Sequence, residues 1–326
     1  MTMKQSKKLT MNTGSAITRD MYYMSCSFAG SSLDEPYSRL FFYQDKNKDK
    51  WFYHDQQNWH VVSTCFPPPI TGEVRKVYAL SEEGDIECFS REATITEKIK
   101  DAGLEPSSKF YGYVNKINHI DGNLYVCGHR GQIYKKNKLT WEHFDDGILQ
   151  TEKLIPDDAD LSFREKIRNS VNSTLDLFDI NGSRNNIYTV GNNGFIAHHN
   201  GINWLTLAKL TAADLHCAHL TQTDVVWIVG SQGTVLNGSA DLGFKVLTRK
   251  MLDSDFYSIT EFQGRMFIGA SDGIYTFHNS ILSKLNIAVK EVSSIESKDG
   301  VLWVLSSEKL LRFDGQTWEE FKHIDN

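Results

Sequence analysis

The chain has 326 residues, 40% of them hydrophobic and 23% charged, and 35 Lys and Arg against 41 Asp and Glu leave a net charge of −6. This composition excludes strongly charged disorder and collagen-like sequence, and no apolar run approaches the roughly 18 residues that a bilayer span needs. A mildly acidic chain is also a poor sequence-independent nucleic-acid binder, which requires a basic face.

The first eight residues, Met1 to Lys8, carry positive charge with no apolar stretch behind them, so they read as a loose arm and not as a signal peptide. On this reading residues 1–19 are a flexible arm and 20–326 a single domain. The five cysteines (Cys26, Cys65, Cys88, Cys127, Cys217) are odd in number and contain no C-x-x-C pair. They are expected to be small buried hydrophobes in a reducing, cytoplasmic setting.

From there the chain repeats. Leu124-Tyr-Val-Cys-Gly-His-Arg-Gly131, Ile187-Tyr-Thr-Val-Gly-Asn-Asn-Gly194, Val226-Trp-Ile-Val-Gly-Ser-Gln-Gly233 and Met266-Phe-Ile-Gly-Ala-Ser-Asp-Gly273 superpose. Weaker copies begin at Leu40, Val77 and Leu302. The aromatic register reads Phe41, Tyr78, Tyr125, Tyr188, Trp227, Phe267 and Trp303, with gaps of 37, 47, 63, 39, 40 and 36 residues. In five units a glycine follows six residues later (Gly84, Gly131, Gly194, Gly233, Gly273), as a turn with positive φ demands. A second mark is a later tryptophan: Trp59, Trp141, Trp204 and Trp318.

A unit of about 36–40 residues accommodates four strands of 5–6 residues with short turns. The runs are rich in Val, Ile and aromatics, hence β. One such sheet cannot bury both faces, but a radial stack of them can. The expected fold is all-β, a propeller of seven four-stranded blades, with six or eight still open because the first unit is degenerate. Trp227 and Trp303 are expected to be buried between neighbouring blades. The surplus residues mark two insertions. Around 149–174, Ser162-Phe-Arg-Glu165 forms a capping box and Phe163, Ile167 and Val171 share a face, predicting a short helix over 162–173. Near Ser90–Ser108 the choice is a strand and loop or a second short helix.

The unit hydrophobic–aromatic–hydrophobic–Val-Gly-x-x-Gly-x-Ile, followed by Asn-Gly-x-x-Trp, resembles the WD/YVTN/BNR-like β-propeller repeats of bacteria over about 20–323. It is also similar to propeller proteins encoded beside Rhs-type or type VI secretion toxins, which implies an immunity protein. No Trp-Asp dipeptide closes a unit, and the sialidase aspartate box is missing around Asp314-Gly315.

Chemical motifs are sparse. The sequence contains no Gly-x-Ser-x-Gly, P-loop, His-Glu-x-x-His or EF-hand loop, and so no enzyme, metal or cofactor is expected. His198-His199 are adjacent on a strand and face opposite ways, so they are unsuited to joint chelation. Asp157, Asp158 and Asp160 fit the charge preference of a helix start. With strands A to D in each blade, the Gly-x-x-Gly turns (B–C) and the inter-blade connections (D–A) share one face, the top. The candidate partner-binding residues lie there: His129, Arg130, Asn192, Asn193, Gln232 and Asp272 on turns, and Tyr111, His216 and Tyr257 expected at the central channel mouth. The expected function is cytoplasmic toxin neutralisation through a protein partner such as a basic nuclease-type domain, with no nucleic-acid or membrane binding. The alternatives are a carbohydrate-active hydrolase or lyase, which needs converging carboxylates in the channel, and a general interaction scaffold.

Overall fold

A computed structural model describes residues 8–28, 36–151, 174–248 and 250–322. The first blade is β1 (Leu9–Thr18), β2 (Met21–Phe28), β3 (Tyr37–Gln44) and β4 (Trp51–Gln57). The second is β5 (Val61–Cys65), β6 (Lys76–Ser81), β7 (Asp85–Ser90) and β8 (Thr94–Lys98). Blade 3 holds β9 (Val114–Ile120), β10 (Asn123–Gly128), β11 (Ile133–Lys136) and β12 (Trp141–His143). Blade 4 follows with β13 (Leu177–Ser183), β14 (Asn186–Gly191), β15 (Ile196–His199) and β16 (Trp204–Thr206). Blade 5 has β17 (Leu215–Leu220), β18 (Val226–Gly230), β19 (Thr234–Ser239) and β20 (Gly243–Val246). In blade 6 they are β21 (Phe256–Phe262), β22 (Arg265–Ala270), β23 (Gly273–His278) and β24 (Ile281–Lys284). Blade 7 ends the chain with β25 (Val292–Lys298), β26 (Val301–Ser306), β27 (Leu310–Phe313) and β28 (Trp318–Phe321).

Every sheet is an antiparallel run of four consecutive strands, and the innermost strands touch in order around a ring that β25 closes against β1. The A–B turns explain the tight pairing. Asp121-Gly122 and Asp299-Gly300 both have positive φ at the two central positions (44° and 82°, 47° and 77°), the twist that matches a hairpin. The five repeat glycines also have positive φ. At Gly194 a side chain would meet the Thr211 carbonyl at 2.0 Å, so the next connection packs directly on the turn.

No blade mixes the two ends of the chain, so the seam between blades 7 and 1 must hold by side chains and stray main-chain bonds. Trp303 is fully buried there, as expected, and Met11 N–H donates to Ser307 O at 2.9 Å. Arg312, 8% exposed, crosses the seam to Arg19 O (2.8 Å), Asp20 (3.3 Å) and Asp45 (2.8 Å). Trp227 also reaches the next blade, 5.2 Å from the Phe277 ring, but is only half-buried.

Three expectations need correction. The propeller starts at Leu9, not residue 20: residues 9–18, assigned to the arm, form the innermost strand of blade 1. Their Thr, Ser and Gly content hides a strand whose neighbours supply the apolar contacts. Phe41 lies on β3, a C strand, whereas the other register aromatics lie on B strands. The blade 1 residues in that position are Tyr22 and Tyr23, both fully buried. Likewise Trp59 lies between β4 and β5, and Trp51 opens the outer strand as Trp141, Trp204 and Trp318 do in theirs. The 90–108 surplus is strand β8 and a loop. The helix expected over 162–173, with Asp157, Asp158 and Asp160, lies outside the described residues. All five cysteines are free, and four are buried. Burial pushes the Cys65 thiol up to about 12, far from a reactive thiolate.

Candidate functional site

Each innermost strand is interrupted near its start by a β-bulge. The extra residues are Asn12, Val62, Asn115, Phe178, His216, Tyr257 and Ser293. A bulge re-aims its side chain out of the ladder, here toward the axis at the top. Asn12, Val62, Tyr257 and Ser293 border an opening of about 600 Å³. His216 packs, tilted, between Phe178 (5.3 Å) and Tyr257 (5.5 Å), and its Nε2 lies 3.0 Å from Ser231 Oγ. Burial lowers the His216 pKa, keeping it neutral at pH 7. His216 and Tyr257 therefore do meet at the channel mouth.

Tyr111 does not join them. It stands 6.0 Å from His143 on the outer strand β12, with the Arg130 guanidinium 5.8 Å above its ring. The connection carrying Tyr111 is held outward by the Gly103–Gly112 bridge and turns inward only after it. His129 completes this second cluster, edge-on to Tyr113 (6.1 Å) and 3.8 Å from Asp176. The 149–174 insertion springs from the same spot: Gln150 N–H donates to Arg130 O (2.8 Å), and Gln150 Oε1 accepts from Leu175 N–H (2.9 Å).

The remaining turn residues divide by role. Asn193 and Gln232 project from left-handed positions (φ 53° and 59°) and are exposed. Asn192 is occupied in holding the connection before β13: its side chain donates to Thr174 O (2.8 Å) and accepts from Asp176 N–H (3.1 Å). Asp272 accepts from Ser254 (2.5 Å), Tyr275 (3.1 Å) and the Lys284 ammonium. Burial would raise its pKa, but these donors outweigh burial and hold it below the usual carboxylate range.

A repeated aspartate, missed in the sequence, organises these turns. The residue before β13, β17 and β21 is Asp176, Asp214 and Asp255. Each main-chain carbonyl accepts from the B–C turn of its own blade, at Asn192, Ser231 and Ser271. The carboxylates reach the previous blade: Asp214 accepts from Asn193 N–H (2.8 Å), Asp255 from Gln232 N–H (2.9 Å), and Asp176 from the Arg130 N–H. The signal was legible as Asp-Leu or Asp-Phe before each unit. Asp214→Ala should cost about 1.5–3 kcal/mol in chemical denaturation, the range for a hydrogen bond to a charged group. An unchanged midpoint would show that water replaces the clamp.

Inside the channel lie charges that no motif announced. Lys116, Asp179 and Glu296 line one cavity of about 270 Å³ with His219 and Cys217. Asp179 Oδ2 accepts from Ala218 N–H (2.9 Å) and Glu296 Oε2 from Ala16 N–H (2.8 Å), so each carboxylate also ties its blade to the next. His198 and His199 lie elsewhere, buried within and beside blade 4. His198 meets Asn186 Oδ1 at 2.8 Å, and His199 stacks on Phe144.

With this geometry in place, the chain can be compared with known proteins. It is 23% identical over 271 residues to the immune protein Tsi7 of Pseudomonas aeruginosa, covering 81% of this chain and 80% of that protein. The chain is thus a distant homologue of an immunity protein. No family model matches it. Among solved structures, the WD40 β-propeller domain of Doa1 superposes with a TM-score of 0.61 at 14% identity, over 94% of this chain and 93% of that one. YCF48 bound to D1 peptide gives 0.60 at 13%, over 94% and 92%. At such identities the structural matches establish the fold alone.

The Tsi7 similarity covers four-fifths of the chain, far more than one blade. The nine sequence-derived candidates fall into two clusters, Tyr111–His129–Arg130 and His216–Tyr257, with Asn193 and Gln232 displayed singly. Asn192 and Asp272 serve the turns themselves.

Proposed function

We propose that this propeller is a non-enzymatic immunity protein that binds a cognate protein toxin across its top face in the cytoplasm. The observation carrying the reading is the similarity to Tsi7 over most of both chains. The top face supplies what a partner needs. An arginine lies over an aromatic ring, Tyr257 is 38% exposed at the mouth, and the inter-blade connections display Leu104, Phe110, Leu210 and Met251. Arg and aromatic anchors surrounded by apolar contacts are the composition of interface hot spots. The net charge of −6 suits a basic partner such as a nuclease domain. Occlusion requires a broad interface, at least about 1,000 Å², and no chemistry.

The test is co-expression of the toxin encoded beside the gene. Arg130→Ala/Tyr257→Ala should weaken toxin binding at least about tenfold, as the loss of two hot spots does, and abolish protection while the fold survives. Deletion of 152–173 should weaken it as well. Ile202→Ala and Leu242→Ala, both 88% exposed on the bottom face, should protect like the wild type. Protection lost only through the bottom-face variants would overturn the docking face. Turnover of a glycan by the purified protein would overturn the binding role in favour of the hydrolase alternative.

A further inference from the structure

The channel cavity holds charges of both signs that the protein does not pair with each other. The Lys116 ammonium makes no hydrogen bond or ion pair within 4 Å among the described residues. Asp179 is 2% exposed, and its Oδ1 has no hydrogen-bond partner. Glu296 uses one oxygen on Ala16 N–H and leaves the other to the cavity. Buried polar groups are normally satisfied, and unpaired buried charge is costly. Of the three only Asp179 is fully buried, while Lys116 and Glu296 are half-buried against the same cavity; a cavity that gathers an unsatisfied buried carboxylate with two further charges suggests an occupant.

Residues from both ends of the channel line the cavity. His216 and Tyr257 line it at the top-face mouth, while Phe66 and Pro68 of the Pro67-Pro68-Pro69 connection between β5 and β6 line its bottom end. Lys298 Nζ sits 5.2 Å over the Phe66 ring at that end. The volume, about 270 Å³, falls just under the span of drug-sized ligand pockets, so the occupant is small.

Charge selects its chemistry. One ammonium faces two carboxylates, so a lone anion would deepen the negative excess and a lone cation would leave Lys116 unpaired. A molecule bearing both charges pairs all three groups and leaves the net charge unchanged. We propose that the central channel is a binding pocket for a small zwitterion of the α-amino-acid type, its carboxylate on Lys116 and its ammonium between Glu296 and Asp179. The surrounding groups agree with this. Burial lowers the pKa of His119, His216 and His219, so none adds a positive charge at pH 7. Burial would also lower Lys116, but Asp179, Cys217, Glu296 and Cys65 together more than reverse that, while burial raises Glu296. Ser258 and Ser294 hydroxyls line the same cavity. The test of this site needs no toxin.

Calorimetry and thermal unfolding of the full-length protein at pH 7 test it, with glycine, L-alanine and L-serine as probes against propionate and ethylamine. At least one amino acid should bind and raise the unfolding midpoint, because a ligand bound only by the folded state stabilises it. Propionate and ethylamine, each carrying half of the charge pattern, should do neither. Lys116→Met should weaken the amino acid at least about tenfold, the loss of one charge-assisted contact. Silence from all three amino acids overturns the proposal, as does propionate or ethylamine binding as well as L-alanine. These wild-type arms decide the matter even if Lys116→Met does not fold.

Discussion

Trp303→Ala should destabilise the propeller by about 3–5 kcal/mol, the range for truncating a large buried aromatic. The indole is fully buried and lies 5.4 Å from Tyr22, 6.2 Å from Tyr43 and 5.8 Å from Phe321, with the Arg312 guanidinium 5.3 Å above it. Its Nε1–H donates to Thr18 O at 2.9 Å, so the truncation also leaves a buried acceptor on blade 1 unpaired. Both effects fall on the single seam that no chain connection crosses. Urea denaturation is the measurement, with Trp227→Ala as comparison; that half-buried side chain should cost distinctly less. If Trp303→Ala costs under about 1 kcal/mol, well below the core range, the seam is held elsewhere, the Arg312 bridge to Asp20 and Asp45 being the next place to cut.

The second large effect is loss of stability in mild acid. Burial holds His219 down to about 4 and also lowers His119, His198, His199 and His216. The unfolded chain takes up these protons near pH 6.5, while the folded protein resists them. The neutral form is therefore favoured by folding, and its stabilisation is complete above about pH 6.5, falls as the pH drops and is exhausted for His219 near 4. His219 alone accounts for up to about 3 kcal/mol by this linkage, an upper bound for a side chain that touches the channel. His60 and His143 oppose the trend. A hydrogen bond to Glu82 raises His60 and one to Asp145 raises His143, so their contribution is full below about pH 6.5 and lost as the pH rises. Five lowered groups outweigh two raised ones. Unfolding free energies at pH 7.5, 6 and 5 should decline steadily for the wild type and less steeply for His219→Gln. Parallel profiles would remove His219 from the account.

These two effects belong to different levels of information. The sequence alone determined the repeat, its strand content and the face on which the Gly-x-x-Gly turns emerge, and it favoured seven blades with six or eight still open. Those features are local: an aromatic on a B strand and a glycine at positive φ six residues later recur wherever the same hairpin recurs. The pairing of Asp-Leu or Asp-Phe with the next turn was within reach on the same grounds, because Asp214 and Asn193 are only 21 residues apart.

Tertiary structure decided the rest. Residues 9–18 become an inner strand only because β25 and β5 flank them, one of them from the far end of the chain. Tyr111 parts from His216 because a connection's path from outer to inner strand depends on the Gly103–Gly112 bridge. Lys116, Asp179 and Glu296 stand on blades 3, 4 and 7, separated by 63 and 117 residues, and face one cavity because ring closure turns their strands to a common axis. Periodicity records which way a side chain points within its own sheet. It holds nothing about what the other blades place opposite, and in a propeller that is where the channel charges meet.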